Sequence, residues 1–457
     1  AAKVIAGKKA TAVVPTDSGP AAVSTDSGPA AGGEAGFVNR YAGLQRSYSV
    51  QNNIDVSSVP EVVAGLRKSF NEQKTTSLAW RKQQLLQFQK MMKECASEFE
   101  QALFKDLHKS KAESWLMELS LVTHEVSYML KNVKKWMKPV KKRTTLFLLP
   151  GKSSVVHDPL GVVLIFGAWN FPIMLSLVPM IGAIAAGNCV LLKPGSLAHA
   201  TSNVMAKLIP KYMDPECIRV IEGDRNMSTA LLKEKFDLIF FTGSSYVGRI
   251  VAKAAAQHLT PCVLELGGKS PCIVDQSANL KLAAKRLCHS AFSNAGQFCI
   301  RPDHLLVHKS VVDKFVELLK QQIKTQFEED IQKSEFFGRV INEGAFNRLA
   351  GLIEQNREHL SFGGESDKED LFIGATIFNF GNDYDKFMRS SLMQDELFGP
   401  LLPIYAYERD EEVFEHCRNL PTGKPLALYL YSTNSKFSNQ VKFGTTSGGF
   451  IVNDSSA

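Results

Sequence analysis

The chain has 457 residues, a formal net charge of +7, 44% apolar residues and 22% charged residues. That length exceeds one simple core and predicts two or three domains of ordinary globular composition. The basic residues are dispersed and nowhere interleaved with aromatics, which argues against a nucleic-acid groove; the one small cluster, Lys138-Pro139-Val140-Lys141-Lys142-Arg143, reads as a solvated turn.

Residues 1–55 contain a repeated segment, Thr16-Asp17-Ser18-Gly19-Pro20-Ala21-Ala22 and Thr25-Asp26-Ser27-Gly28-Pro29-Ala30-Ala31. It cannot bury a core, so a disordered extension is expected. Residues 35–54 lack any acid but hold Arg40, Arg46, Ser47 and Ser49, a composition shared by organelle-targeting segments and by plain flexible extensions. Residues 56–140 are predicted helical, because Leu85, Leu86, Phe88, Met91 and Met92 recur with the helical period. Within 141–158, residues 144–148 and 153–157 flank Leu149-Pro150-Gly151-Lys152 and predict a hairpin.

Residues 160–192 form a run of 33 without a charge, long enough for a membrane span. Gly161, Gly167, Pro172, Pro179, Gly182 and Gly187 interrupt it, and Asn170 and Asn188 need polar partners. A strand, turn, core helix and second strand fit better. Strands are expected at 162–166, 189–192, 218–221, 238–241 and 262–266, alternating with helices, which is the pattern of a parallel sheet. They define a unit over 159–266, and a second α/β unit follows over 267–457.

Eight cysteines are present without any CxxC pair or zinc-site spacing, so buried reduced thiols are the expectation for most. One stands apart. Cys299, in Asn294-Ala295-Gly296-Gln297-Phe298-Cys299, lies 34 residues after Glu265 in Glu265-Leu266-Gly267-Gly268-Lys269. Upstream, Trp169-Asn170-Phe171-Pro172 offers a side-chain amide. Thiol, carboxylate and amide are the parts of a covalent attack on a carbonyl: nucleophile, base for water and donor to the oxyanion. Cys272 and Cys288 are the rival thiols, but neither has such a turn around it. Phe241-Thr242-Gly243-Ser244-Ser245-Tyr246-Val247-Gly248 follows an apolar strand and opens a helix whose amides can receive a phosphate.

Together these segments resemble the aldehyde dehydrogenase superfamily. Lys193-Pro194, Gln394-Asp395-Glu396-Leu397-Phe398-Gly399-Pro400 and Ser447-Gly448-Gly449 follow in the family's order, and the likeness covers residues 59–454. Pro159-Leu160-Gly161-Val162-Val163-Leu164-Ile165, Leu397-Phe398-Gly399-Pro400-Leu401-Leu402-Pro403 and Lys424-Pro425-Leu426-Ala427-Leu428-Tyr429 resemble its class 3 branch, which acts on fatty and aromatic aldehydes. The resemblance implies an α/β fold with a Rossmann-type dinucleotide-binding domain at 159–266, an α/β catalytic domain at 267–457, and a β-hairpin oligomerisation arm at 141–158. It implies that Cys299 attacks the aldehyde, that Asn170 and the Cys299 N–H hold the oxyanion, and that Glu265 serves as base for thioester hydrolysis. Trp169, Lys193, Ser196, Gly243, Ser244, Gly248, Leu266, Glu396 and Phe398 become the expected neighbours of bound NAD or NADP. No metal is implied.

Four departures stand out. Ser196 occupies the place, three after the lysine, where the family commonly has a ribose-binding glutamate; an acid there repels a 2′-phosphate and a serine does not, so NADP is admitted beside NAD. Phe298 stands where Thr is frequent, and Arg301 and His304 are unusual so soon after the cysteine. The sequence ends at Ala457, where the family usually continues with a C-terminal segment that helps subunits pair. The expected activity is NAD(P)-dependent oxidation of medium- or long-chain aliphatic or aromatic aldehydes by a homodimer, in the cytoplasm or in an organelle. A semialdehyde enzyme and an inactive binding protein on the same fold are the rivals.

Overall fold

The computed structural model describes residues 6–8 and 55–455; the repeated segment and the arginines of the N-terminal extension lie outside them. Residues Ala6–Lys8 form a short strand antiparallel to His157–Pro159.

The helical reading of the N-terminal region holds. Helices Val59–Asn71, Leu78–Glu94, Ala96–Leu107 and Ser120–Trp136 follow one another. Ser77 starts the second by accepting the Trp80 N–H at 3.1 Å, which satisfies an otherwise orphaned donor. Leu85, Phe88, Met91 and Met92 project from its buried face. The second and fourth pack against Met174–Ala186, which carries the middle of the long uncharged run. Among the described residues no helix is long and apolar enough to cross a membrane.

Strands Val162–Phe166, Cys189–Lys193, Ile218–Val220, Leu238–Gly243 and Cys262–Leu266 fall where the sequence places them, within two residues at each end. They form one five-stranded sheet that is parallel throughout. In chain order the strands lie 3-2-1-4-5, the Rossmann-type arrangement, which reverses direction between Val162–Phe166 and Leu238–Gly243. The first two strands are buried along their whole length, as expected when helices cover both faces.

The second sheet has seven strands, in the order Leu360–Phe362, Thr376–Asn379, Leu401–Tyr407, His304–His308, Pro271–Val274, Ala427–Tyr431 and Gly449–Val452. Only its first pair is antiparallel. Side chains alternate between two cores: Leu305 and Val307 enter one, Leu306 the other; Leu402, Ile404 and Ala406 face away from Leu401, Tyr405 and Tyr407.

The hairpin differs from expectation in its first arm. Val140–Lys142 pairs antiparallel with Ser153–Val155, so the first strand begins before residue 144, and Leu146–Leu148 is a 3₁₀ turn. The reason is local. The Thr144 hydroxyl receives the Ser153 N–H at 3.0 Å, in place of the main-chain pairing that a strand would continue. The tip exposes Leu146, Phe147, Leu148 and Leu149 together.

Candidate active site

The loops that leave the carboxyl ends of the five-stranded sheet face the segments around Cys299, Glu396 and Gly448 across one cleft of about 2980 Å³. Trp169, Asn170, Lys193, Ser196, Gly243, Ser244, Glu265, Leu266, Cys299, Glu396 and Phe398 all line it. Gly248 does not. It is buried one turn into the helix Ser245–Ala256, where an added Cβ would stand 2.7 Å from Leu266 Cδ2. Its glycine therefore lets helix and strand approach, and does not offer a wall to a ligand.

The turn that presents the thiol is unusual in its backbone. Asn294, Ala295 and Gly296 all take positive φ, at 52°, 49° and 68°. Two non-glycine residues in that region require outside support. It comes from Glu113, whose carboxylate accepts the Asn294 N–H at 2.5 Å, and from Gln297. The Gln297 side chain donates to Asn294 O at 3.0 Å and Arg339 O at 2.9 Å, and accepts from Ile341 N at 2.9 Å. Asn170 Nδ2 donates to Gln297 O at 3.1 Å, so amide and thiol are held by one network. The Phe171 and Phe298 rings meet at 4.7 Å, and Phe298 lines the same cleft as Cys299.

Among the eight cysteines Cys299 alone lines the cleft; Cys272 and Cys288 are fully buried in the core. The Cys299 thiol does not lie ready as an anion. Burial pushes it up to about 12, the Glu396 and Glu265 carboxylates add to this, and the N–H groups of Cys299 and Ile300 oppose it. The low-dielectric wall and two acids outweigh two backbone donors. Glu265 is exposed to the cleft, as a group that must meet water has to be.

Glu396 is half-buried, with its Oε1 fully enclosed, and is lifted to about 8, chiefly by desolvation and by nearby Asp303. An added Cβ on Gly267 would collide with Glu396 Oε2 at 2.0 Å, so the Gly267-Gly268 turn is what admits this side chain. Phe398, at φ 47°, meets the Trp169 ring edge-on at 5.3 Å across the cleft. Lys193 is buried at the end of its strand and drawn down to about 8 by burial, against the pull of Asp224. Ser244 caps the helix Ser245–Ala256 by accepting from Val247 N at 3.3 Å, leaving the helix start open to the cleft.

The cleft suits a dinucleotide on its own atoms. Glu396 Oε1, Thr242 Oγ1 and Glu222 Oε2 are buried without hydrogen-bond partners, and all three residues line the wall. Unpaired polar atoms in such number are rare unless a ligand completes them. Lys193, Glu396, Phe398 and the helix start at Ser244 all line this same cavity.

Several supporting residues gave no sequence signal. Lys109 and Glu118 form a fully buried pair at 2.5 Å; Lys109 also donates to Asn170 O at 2.8 Å, and Glu118 accepts from Ile173 N at 2.8 Å. The pair clamps both sides of the loop that carries Asn170. Lys269 pairs with Asp303 and donates to Leu392 O at 2.8 Å and Asp395 O at 3.0 Å, while Asp303 accepts from Leu397 N at 2.9 Å. Arg301 completes the cluster by donating to Leu401 O at 2.6 Å, which accounts for an arginine so near the thiol. His304 and His416 meet nitrogen to nitrogen at 2.6 Å, with burial holding His416 down to about 3.

The comparisons agree with this geometry. Residues 43–457 match the aldehyde dehydrogenase family. An aldehyde dehydrogenase of Craterostigma plantagineum is 42% identical over 396 residues, 86% of this chain and 81% of that protein. The dog protein called "aldehyde dehydrogenase, dimeric NADP-preferring" is 40% identical over 401 residues, 87% of this chain and 86% of that protein. "Aldehyde dehydrogenase family 3 member I1, chloroplastic" of Arabidopsis thaliana is 40% identical over 86% of this chain and 71% of that protein. Among solved structures, the substrate-bound Staphylococcus aureus AldH superposes with a TM-score of 0.84 at 36% identity, covering 87% of this chain and 85% of that one. A Mycobacterium tuberculosis aldehyde dehydrogenase complexed with NAD+ gives a TM-score of 0.78 at 26% identity, covering 88% and 83%.

Proposed function

Because the chain belongs to the aldehyde dehydrogenase family, where its relatives are class 3 enzymes and its activity is NAD(P)-dependent aldehyde oxidation, we propose the following division of labour. Cys299 is the nucleophile, Asn170 and the Cys299 N–H hold the oxyanion, and Glu265 is the base for water. The observation that carries this is the convergence of an exposed carboxylate, a buried amide and one thiol on a single cleft wall system.

Cys299 gives up its proton to solvent in the open cleft as its sulfur bonds to the aldehyde carbon, and the carbonyl π pair moves onto oxygen to give the thiohemiacetal alkoxide. The Asn170 amide, already held by Gln297 O, has a second N–H to offer the new alkoxide. One such donor contributes about 100- to 1000-fold in rate. The bound dinucleotide supplies the hydride acceptor. Lys193, Ser196, Gly243, Ser244, Leu266, Trp169, Glu396 and Phe398 line the cleft and would hold it. Cys299 is left holding the acyl group as a thioester, and Glu265 takes a proton from the water that cleaves it.

The substrate is read as a medium- or long-chain aliphatic or aromatic aldehyde. Leu121, Met174, Val178, Phe298 and Ile451 give the cleft apolar side chains. The unit 159–266 is the dinucleotide-binding domain and 267–457 the catalytic one, with 56–140 packed on the first. We infer a homodimer joined through the hairpin arm; the apolar tip Leu146–Leu148 supports it, as does the dog relative's name. The cytoplasm is the proposed compartment, with an organelle favoured instead by the chloroplastic relative. The test is NAD(P)H formation at 340 nm across a panel of alkyl, aryl and carboxylated aldehydes with each cofactor. Turnover confined to carboxylated semialdehydes would overturn the substrate assignment.

A further inference from the structure

Ser196 leaves the ribose position without its acid, yet the neighbouring strand brings another one there. Ile218–Val220 runs parallel to Cys189–Lys193, with Val220 opposite Leu192 and the Ile221 N–H bonded to Leu192 O at 2.9 Å. The chain then emits Glu222 beside the level at which the other strand emits Lys193. Gly223 turns it there at φ 152°, where a Cβ would stand 2.6 Å from Met227 Cβ. Glu222 is 6% exposed and lines the cleft. A hydrogen bond with Ser202 engages its carboxylate, and its Oε2 is buried without any partner. An orphaned carboxylate oxygen on a cofactor wall is an unmet acceptor. Asp224, next but one, is committed elsewhere, capping the following helix through Asn226 N at 2.8 Å.

We propose that Glu222 is the specificity residue of the adenosine end: its Oε2 accepts the free ribose 2′-hydroxyl and its charge disfavours a 2′-phosphate. The proposal rests on the dinucleotide reading of the cleft. It makes the chain discriminate in favour of NAD through a residue on a different strand from the vacant Ser196 position. Lys193 and Arg225, also on the wall, pull the other way, while Asp224, on the same wall and acting on Lys193, offsets part of their charge.

The test uses ligands without a nicotinamide, so that it reads binding and not turnover. AMP and adenosine 2′,5′-bisphosphate are titrated calorimetrically into the wild-type protein, Glu222→Gln and Lys193→Met. Wild type binds AMP more tightly than the bisphosphate, and the isosteric Glu222→Gln change narrows that ratio by about tenfold, toward the low end of one charge contact near 4 Å, which runs from roughly fivefold in bulk water to roughly a thousandfold at a surface-like dielectric. A ratio unchanged by Glu222→Gln, or a wild type that prefers the bisphosphate, overturns the proposal. If Lys193→Met weakens AMP while Glu222→Gln leaves the ratio alone, the cofactor site stands and only the role of Glu222 falls. If Lys193→Met leaves AMP binding untouched, the adenosine site itself is misplaced and the proposal falls with it.

Discussion

The resting state of Cys299 makes a quantitative prediction about alkylation. The thiol is raised to about 12, so at pH 7.5 its thiolate fraction is on the order of 3 × 10⁻⁵. An ordinary free thiol near 8.5 is roughly one-tenth ionised there, about 3000 times more. A more basic thiolate is also the better nucleophile; a Brønsted slope of about 0.45 over some 3.5 pH units returns roughly 40-fold. The net expectation is iodoacetamide labelling about 100-fold slower than that of a free thiol. The pH dependence is the sharper reading, because access to the cleft changes the rate but not the slope. Labelling should climb about tenfold per pH unit past pH 9 with no plateau. Near pH 8 the climb should sag, since Glu396 becomes charged there and only then adds its share of the thiol's rise. Glu396→Gln should remove the sag and speed labelling. The assay is pseudo-first-order loss of activity between pH 6.5 and 10, with mass spectrometry assigning the label to Cys299. A plateau with its midpoint at or below pH 8 would refute the reasoning, since it would show a thiol that ionises normally despite burial and two carboxylates.

Three further outcomes are expected. Cys299→Ala abolishes oxidation but binds NAD as the parent does, whereas Cys272→Ala and Cys288→Ala keep most activity; sustained turnover by Cys299→Ala removes the central assignment. Glu265→Gln gives a pre-steady-state burst of NAD(P)H followed by slow turnover, because only thioester hydrolysis needs the base, and loss of the burst shows that Glu265 acts earlier. Lys109→Met leaves Glu118 buried and unpaired at a cost of about 3–5 kcal/mol; it lowers the melting temperature, and any folded enzyme loses kcat more than it gains KM because the Asn170 loop loosens. A Lys109→Met protein as stable and active as its parent contradicts the clamp.

The five parallel strands were legible because each is a short apolar run punctuated by Gly, Pro or Asn; Cys299, Glu265 and Asn170 stood out as candidates because each lies in or beside a distinctive turn, and the structure brings all three to one cleft. The hairpin's first arm was misplaced because a single hydroxyl, Thr144, ended the pairing, and no periodicity reports that. Gly248 was assigned to the ligand by likeness alone; the Leu266 side chain behind it is a contact between elements that spacing does not reveal. Lys109, Glu118, Glu222 and Lys269 were missed for a related reason. Each is an unremarkable charged residue until folding removes its water, and burial is a property of the tertiary structure.

Glu265 and Asn170 grow from the five-stranded sheet and its loops, whereas Cys299 and Glu396 grow from the seven-stranded one, and each sheet has its own hydrophobic cores. Neither half owns a working catalyst. Turnover is therefore a property of how the halves register against each other. A tilt too slight to expose either core would still part the thiol from its base and amide. Such an enzyme goes silent under mild stress while its helices and strands remain intact, and its activity measures alignment before it measures folding.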